Sequence, residues 1–460
     1  MKKVKFLLVA MMIAFSAQMA AADQIDGLAS TSGPAAPASL QDLYVNPGGL
    51  GDALLFGYYN ARNSINLIRI VNTSTTTGVV GKMRFREGKL SEEVLDFLVC
   101  LSPGDQFTAW VVDPALFGLP NGPAMIVKGS NNDTGFLVGD SDTVTVPGGW
   151  STASFKYSAT GAASTVTMDD TKEGYFEFIA TKGVNTGTTD FEGAHSAFAA
   201  LISTSEQCSE FALAPNESQT NTPNSLMGEV YVFNFNTAYP STFNYDATVL
   251  ANFADEIDNV STTSDRPLWS HADSGLNGVN YVLTKSSFYA MYDVQSYLQG
   301  ATDFIVTFPT KKEILQSGLG ANYFPHTNVM TPYACTQVEY HIYDDAEHRP
   351  TTETGFSPGR VQNDYLCYEV NYIKGGESSQ TIFDTALNSA TIANIGKAAG
   401  SVSFDFGWVE IDFVDGSTSA TPDSTVSGIP AVGYEVQTWL GGALDGMSPM
   451  KYRVDVEGGQ

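Results

Sequence analysis

The chain has 460 residues, with 50 Asp and Glu against 23 Lys and Arg, a formal net charge of −27 and a pI near 4.3. Such a polyanion is repelled by nucleic acid and by anionic membrane, because both need Lys or Arg to neutralise phosphate; divalent cations or a cell-surface matrix suit it better as partners. Only 16% of the residues are charged, while 43 Gly, 27 Phe and 21 Tyr favour short strands joined by turns.

Residues 1–22 read as a secretory signal peptide. Lys2, Lys3 and Lys5 precede a short apolar core, Phe6 to Phe15, and Ala20-Ala21-Ala22 supplies small residues for cleavage. The apolar run is too short for a transmembrane helix, and no later run is long enough to span a bilayer. The expected location is therefore the cell surface or the extracellular space, with the periplasm as the alternative. Residues 23–41, rich in Ala, Ser, Pro and Gly, read as a flexible leader.

From Leu43 the chain alternates strand phrases with turns: DALLFGYYN, INLIRIVN, VVGKMRFRE, EEVLDFLVCL and QFTAWVVD. In the third, Met83 and Phe85 alternate with Lys82, Arg84 and Arg86, the period-two pattern of a half-buried strand. GYFEFIAT (174–181) is another strand. Helical spacing is local: Phe191, Ala194, Phe198 and Leu201 suggest one short helix. Leu250, Phe253 and Ile257 suggest a second, and Phe288, Met291, Tyr292 and Leu298 a third. The breaker-rich stretch Pro215–Ser225 is the expected domain boundary, after which GEVYVFNF, DFIVTF, TQVEYHIYD, YLCYEVNYI, SVSFDFGWVEIDF and AVGYEVQTW resume the strands. The fold class expected is all-β: two antiparallel, Ig-like β-sandwich domains over 42–225 and 226–460, with a few short helices.

Four cysteines allow three pairings, and an oxidising compartment favours disulfides. Cys335 and Cys367 lie on what read as neighbouring strands, which predicts a Cys335–Cys367 bridge and leaves Cys100 with Cys208.

A family resemblance rests on whole phrases. GDALLFGYYNARNSINLIRIVNTS, MRFREGKLSEEVLDFLVCLSP, FNYDATVLANF, DFIVTFPTK, LCYEVNYI, FGWVEIDF and GIPAVGYEV follow one another in this order along the chain. The chain resembles uncharacterised secreted proteins of Gram-negative bacteria that are loosely labelled cell-surface or surface-layer proteins, from about Gly51 to Val436. These phrases are strands and turns, so the resemblance implies a fold and a location. It carries over no catalytic or ligand residue.

The residues themselves offer little catalytic chemistry. G-x-S-x-G and H-E-x-x-H are both absent. The best metal-like cluster is HIYDDAEH, where His341, Asp344, Asp345 and His348 supply imidazole and carboxylate donors near a strand end. If Tyr340 and Ile342 face a core, alternation instead turns His341 to solvent, and the acidic residues become a solvated turn. Structural calcium is the one cofactor considered, with loops 131–142 and 412–423 as candidates. Trp110, Trp150, Trp269, Trp408 and Trp439 are expected mainly in cores, Trp408 sharing a core face with Phe404 and Phe406. The expectation is thus a non-enzymatic surface structural or assembly protein that associates with itself or with the cell envelope. The rivals are a secreted module binding polysaccharide or a similar ligand, and an extracellular hydrolase.

Overall fold

The computed structural model describes residues 43–128, 136–138, 143–146, 150–157, 166–185, 187–188, 190–201, 219–220, 223–253, 275–350, 362–377, 380–399, 402–421 and 424–457. The signal peptide and leader expected over 1–41, and Cys208, lie outside them. The fold is all-β, built mostly of antiparallel sheets.

The central strands of the first part are β1 (Ala53–Asn60), β2 (Ser64–Asn72), β3 (Thr77–Glu87), β4 (Glu93–Leu101), β5 (Gln106–Val112), β6 (Glu173–Asn185), β7 (Leu226–Asn234), β8 (Ser241–Asp246) and β9 (Thr248–Ala251). Those of the second are β10 (Ser287–Asp293), β11 (Ala301–Thr307), β12 (Tyr333–Asp344), β13 (Gln362–Leu366), β14 (Val370–Gly375), β15 (Asn388–Ile392), β16 (Phe406–Phe413), β17 (Val432–Trp439), β18 (Leu444–Pro449) and β19 (Lys451–Arg453). Three helices matter here: α1 (Phe191–Leu201), α2 (Gly275–Leu283) and α3 (Lys311–Gln316).

The main sheets stack as four layers. The first layer contains β8-β7-β2-β5 and the second β9-β1-β6-β3-β4. The third contains β15-β14-β11-β17-β18, and the fourth β12-β16-β10-β19 with β13 beside β12. Ile68, Ile70, Val230 and Val232 of the first layer share a core with Phe56, Phe85 and Phe176 of the second. Phe304, Val306 and Ile373 of the third share another with Phe288, Tyr340, Ile342, Val409 and Ile411 of the fourth. The opposite sides of β11 and β14, Ile305 and Tyr372, belong to the first core, so the two middle layers also pack on each other. Residues Leu43–Gln460 consequently form one compact unit.

This layering explains the strand sequences. β1 (ALLFGYYN) and β11 (ATDFIVT) are buried at every position because both of their faces are covered. β2 and β16, in outer layers, alternate buried with half-buried positions. A register shift between Gly174 and Phe176 bulges β1, so that Tyr58 meets Tyr372 of the third layer while Tyr59 packs on Phe85 of its own.

Polar groups also fasten the middle seam. Thr307 donates to the Gly57 carbonyl at 2.6 Å, and the Gly57 amide donates to the Tyr434 hydroxyl at 3.3 Å. Glu173 accepts from the Thr385 hydroxyl and the Ala386 amide at 2.5 and 2.9 Å. Arg86 reaches Glu177 at 3.4 Å and Glu313 of α3 at 3.3 Å.

Several expectations are corrected. β3 is not half-buried: Lys82, Arg84 and Arg86 are buried too, because their side of the strand is enclosed and supplied with counter-charges, Asp96 2.5 Å from Lys82 and Glu93 2.8 Å from Arg84. Burial opposes the charge of Arg86, yet Glu177, Tyr175 and Glu313 hold it well above the ordinary arginine value. The boundary expected after Ser225 falls inside the first pair of layers, since β7 pairs with β2 along its whole length. A polar, breaker-rich stretch marks a loop, and its composition does not tell a loop within a domain from a linker between domains.

The expected helix around Phe191 is present as α1, whereas Leu250 lies on β9 and Phe288, Met291 and Tyr292 lie on β10. In these short windows β-branched and aromatic residues imitate a helical stripe. Helix α2 was not foreseen. The Cys335–Cys367 disulfide is present, with Cα atoms 4.0 Å apart, joining the end of β13 to β12. Among the described residues, no helix is long and apolar enough to cross a membrane.

Candidate functional site

The outward side of the fourth layer carries the candidate site. On β12 and β16 the apolar residues Val338, Tyr340, Ile342, Val409 and Ile411 face the core, which turns the alternate residues outward. Cross-strand register then sets Tyr343 beside Trp408, His341 beside Glu410, and Glu339 beside Asp412. β10 adds Met291 next to Trp408 and Tyr289 next to Glu410.

Two chemistries result. One is an aromatic ridge: Tyr343 and Trp408 stack with centroids 3.9 Å apart and planes within 10°, and Arg349 lies over the other face of Tyr343 at 4.5 Å. Tyr289 flanks Trp408 at 6.2 Å. Rings stacked across neighbouring strands stand on edge, so they present a ridge and not a flat platform. Met291 and Phe406, 53% and 43% exposed, extend its apolar surface.

The other chemistry is a set of metal-type donors. One donor atom each from Glu339, His341 and Asp412 lies within 4.8 Å of the others. Burial and the neighbouring Glu410 push the Asp412 carboxyl up, while Arg453 pulls against them. Arg453 stands 3.3 Å from Glu410 and 3.7 Å from Asp412, so the face carries both signs of charge.

The four residues expected to bind metal do not come together. His341 faces outward, as the alternation allowed, while Asp344 belongs to the inward phase of β12. Asp344 is occupied in closing the turn: it accepts from the amides of Ala346 and His348 at 3.0 and 2.6 Å and pairs with the His348 ring at 2.7 Å. Burial would raise its pKa, but these bonds outweigh it and hold the carboxyl below the usual range. Asp345 is exposed at the turn itself. The partners missed were Glu339 and Asp412. Their signal was present as E-x-H on β12 and E-x-D on β16, once the two strands are known to be neighbours.

Trp408 is likewise corrected, since it faces outward with Glu410 and not into the core with Phe404. Trp110 is half-buried against Phe233 at 5.9 Å, and the Trp439 indole donates to Asp293 at 3.0 Å. The side chain of Trp150 and the whole of Trp269 lie outside the described residues. Of the loops considered for calcium, 131–142 is described only at 136–138. In 412–423, Asp415 is engaged by the Gln337 amide at 2.7 Å and by His326 at 3.1 Å. No family model, no curated protein and no solved structure matches the chain.

Proposed function

We propose that this is a non-enzymatic structural component of the cell surface, exported from the cell, which associates with copies of itself through the outward side of its fourth layer. The observation that carries this reading is the ridge of Tyr343, Trp408, Met291 and Phe406 bordered by Arg349 and Arg453. Tyr, Trp, Met and Arg are the residue types enriched where proteins bury surface against one another. The ridge lies beside carboxylates on a face that also carries arginines, a mixture that is self-complementary when two copies meet about a two-fold axis. We read each facing pair of layers as an Ig-like sandwich; opposed antiparallel sheets over a shared apolar core support that assignment.

A net charge of −27 opposes such contact at long range. Divalent cations relieve the repulsion, and the carboxylates Glu339 and Asp412, beside His341, are the oxygen donors best placed to take Ca²⁺ at the ridge. Sedimentation of the purified protein across Ca²⁺, chelator and NaCl series tests the reading. Oligomers are expected in millimolar Ca²⁺, dissolving on chelation at low salt, and Met291→Glu at the ridge should abolish them. A wild-type protein that stays monomeric in all three series at high concentration overturns it.

A further inference from the structure

A second feature, separate from the ridge, lies where loops from three layers meet. The β1–β2 turn at Asn63, the turn after β7 at Phe235–Thr237 and the β14–β15 loop at Gln380–Asn388 enclose an open cleft of about 450 Å³. This volume falls within the range of small-molecule sites. Its walls are built of amides and single opposing charges: Asn63, Asn236, Gln380 and Asn388, with Lys374 and Asp384. Phe235 is the aromatic residue on the wall, and it is 52% exposed.

The cleft is rigid because the 380–388 loop is pinned from beneath. Asn60 donates to the Asp384 carbonyl at 2.8 Å, Asn234 to the Ile382 carbonyl at 2.9 Å, and Asn236 to the Thr381 and Ile382 carbonyls at 3.2 and 3.1 Å. Asp303 accepts from the Ile382 amide at 2.7 Å, and the Tyr372 hydroxyl accepts from the Phe383 amide at 3.2 Å. Phe383 is itself buried against Tyr58 and Phe243. Asn63 holds one Asp384 oxygen at 2.8 Å, so the carboxylate is fixed with capacity to accept more. Among the described residues, the side chains of Gln380, Asn388 and Thr237 have no internal hydrogen-bond partner. A preorganised wall with unspent donors and acceptors avoids the ordering cost that weakens binding by mobile loops.

We infer that this cleft binds an uncharged saccharide, a pyranose ring whose apolar face rests on Phe235 and whose hydroxyls bond to Asp384, Gln380 and Asn388. Hydroxyls both donate and accept, which matches a wall mixing carboxylate oxygen with amide N–H and C=O groups. The charges of Lys374 and Asp384 offset each other locally, and the protein as a whole repels anions, so an acidic sugar is disfavoured. An aliphatic or aromatic ligand would leave the polar wall unpaired.

The test is titration of the purified full-length protein with a panel of neutral hexoses, N-acetylhexosamines and disaccharides, with glucuronate and galacturonate as anionic controls. Ligand-observed NMR detects binding, and calorimetry ranks it. At least one neutral sugar should bind, with both uronates weaker. Phe235→Ala should weaken that binding roughly threefold to tenfold, the worth of one aromatic contact. The double variant Gln380→Ala/Asn388→Ala, confined to exposed side chains, should weaken it roughly tenfold at an unchanged Tm. Met291→Glu should leave it intact, which separates this site from the self-association ridge. Absence of binding by every neutral sugar overturns the inference. So does equal or tighter binding of a uronate, or full affinity in both cleft variants.

Discussion

Lys82, Arg84 and Arg86 on β3 and Glu339 and His341 on β12 are spaced alike, each alternating with apolar residues, yet their surroundings are opposite. The β3 charges are enclosed and matched to Asp96, Glu93, Glu177 and Glu313. The β12 residues stand half-exposed on an outer face. Alternation establishes that a strand has two different sides. Whether the polar side meets water or another layer depends on the stacking order, which is a long-range property of the chain. In the interior a charge needs its counter-charge for the fold to stand; on the outer face the same residue types are available for contact.

Substitutions on the two sides should therefore diverge. The largest effect is expected inside: Arg86→Ala leaves Glu313 buried without its cation and Glu177 with only Arg84, 3.9 Å away, and should cost about 3–5 kcal/mol. Denaturant unfolding reads it, and a loss below about 1 kcal/mol would show that the pair is solvated after all. Replacing Cys335 and Cys367 together by Ala should cost about 3–4 kcal/mol in the chain-entropy picture, since the bridge joins residues 32 apart. Gly57→Ala comes next. Its Cβ would stand 2.7 Å from a Tyr434 ring carbon and 2.8 Å from a Val432 methyl, and spreading the middle layers should cost about 1–3 kcal/mol.

A pH series sharpens the contrast. Burial pushes Glu369 up to about 8, and Lys311 beside it offsets this only in part. In the unfolded chain the carboxyl titrates near its ordinary 4.5, so between about pH 4.5 and 8 the folded protein holds a proton that the unfolded one releases. The contribution of this group to stability therefore falls as pH rises through that window and is lowest above about 8. Glu369→Gln should show a flatter Tm profile from pH 5 to 8 than the wild type; parallel profiles would rule out the shift. The smallest effect belongs to the outer face. Trp408→Ala should cost no more than about 1 kcal/mol, the worth of its stack with Tyr343, while removing Ca²⁺-dependent association.

Much of the strand inventory was legible because strand phrases bounded by Gly, Pro, Asn and Asp are local signals. The Cys335–Cys367 bridge was legible for the same reason, as its two strands are close in sequence. What was not legible depends on distant partners. The segment Leu226–Ala251 reads like the start of a second domain, but β7 is completed by β2 and β9 by β1. His341 was singled out with neighbours in sequence, Asp344 and His348, when a strand sets it against Asp412 across a ladder. Trp408 looked like core because Phe404 and Phe406 share its parity; the chain changes phase before β16 begins, burying Phe404 and exposing Phe406. The cleft left no local trace, since its walls come from three separate turns.

The bond between the Gly57 amide and the Tyr434 hydroxyl spans 377 positions. Until that late segment arrives, the flank of β1 that also meets Thr307, Tyr372 and Phe383 stays uncovered at Gly57, and contacts of such separation form slowly. Chains truncated before Val432 should accordingly be captured by holdase chaperones or degraded, instead of persisting as a stable amino-terminal half. Completion of synthesis thus acts as a checkpoint: only a chain carrying its last strands can hide its first.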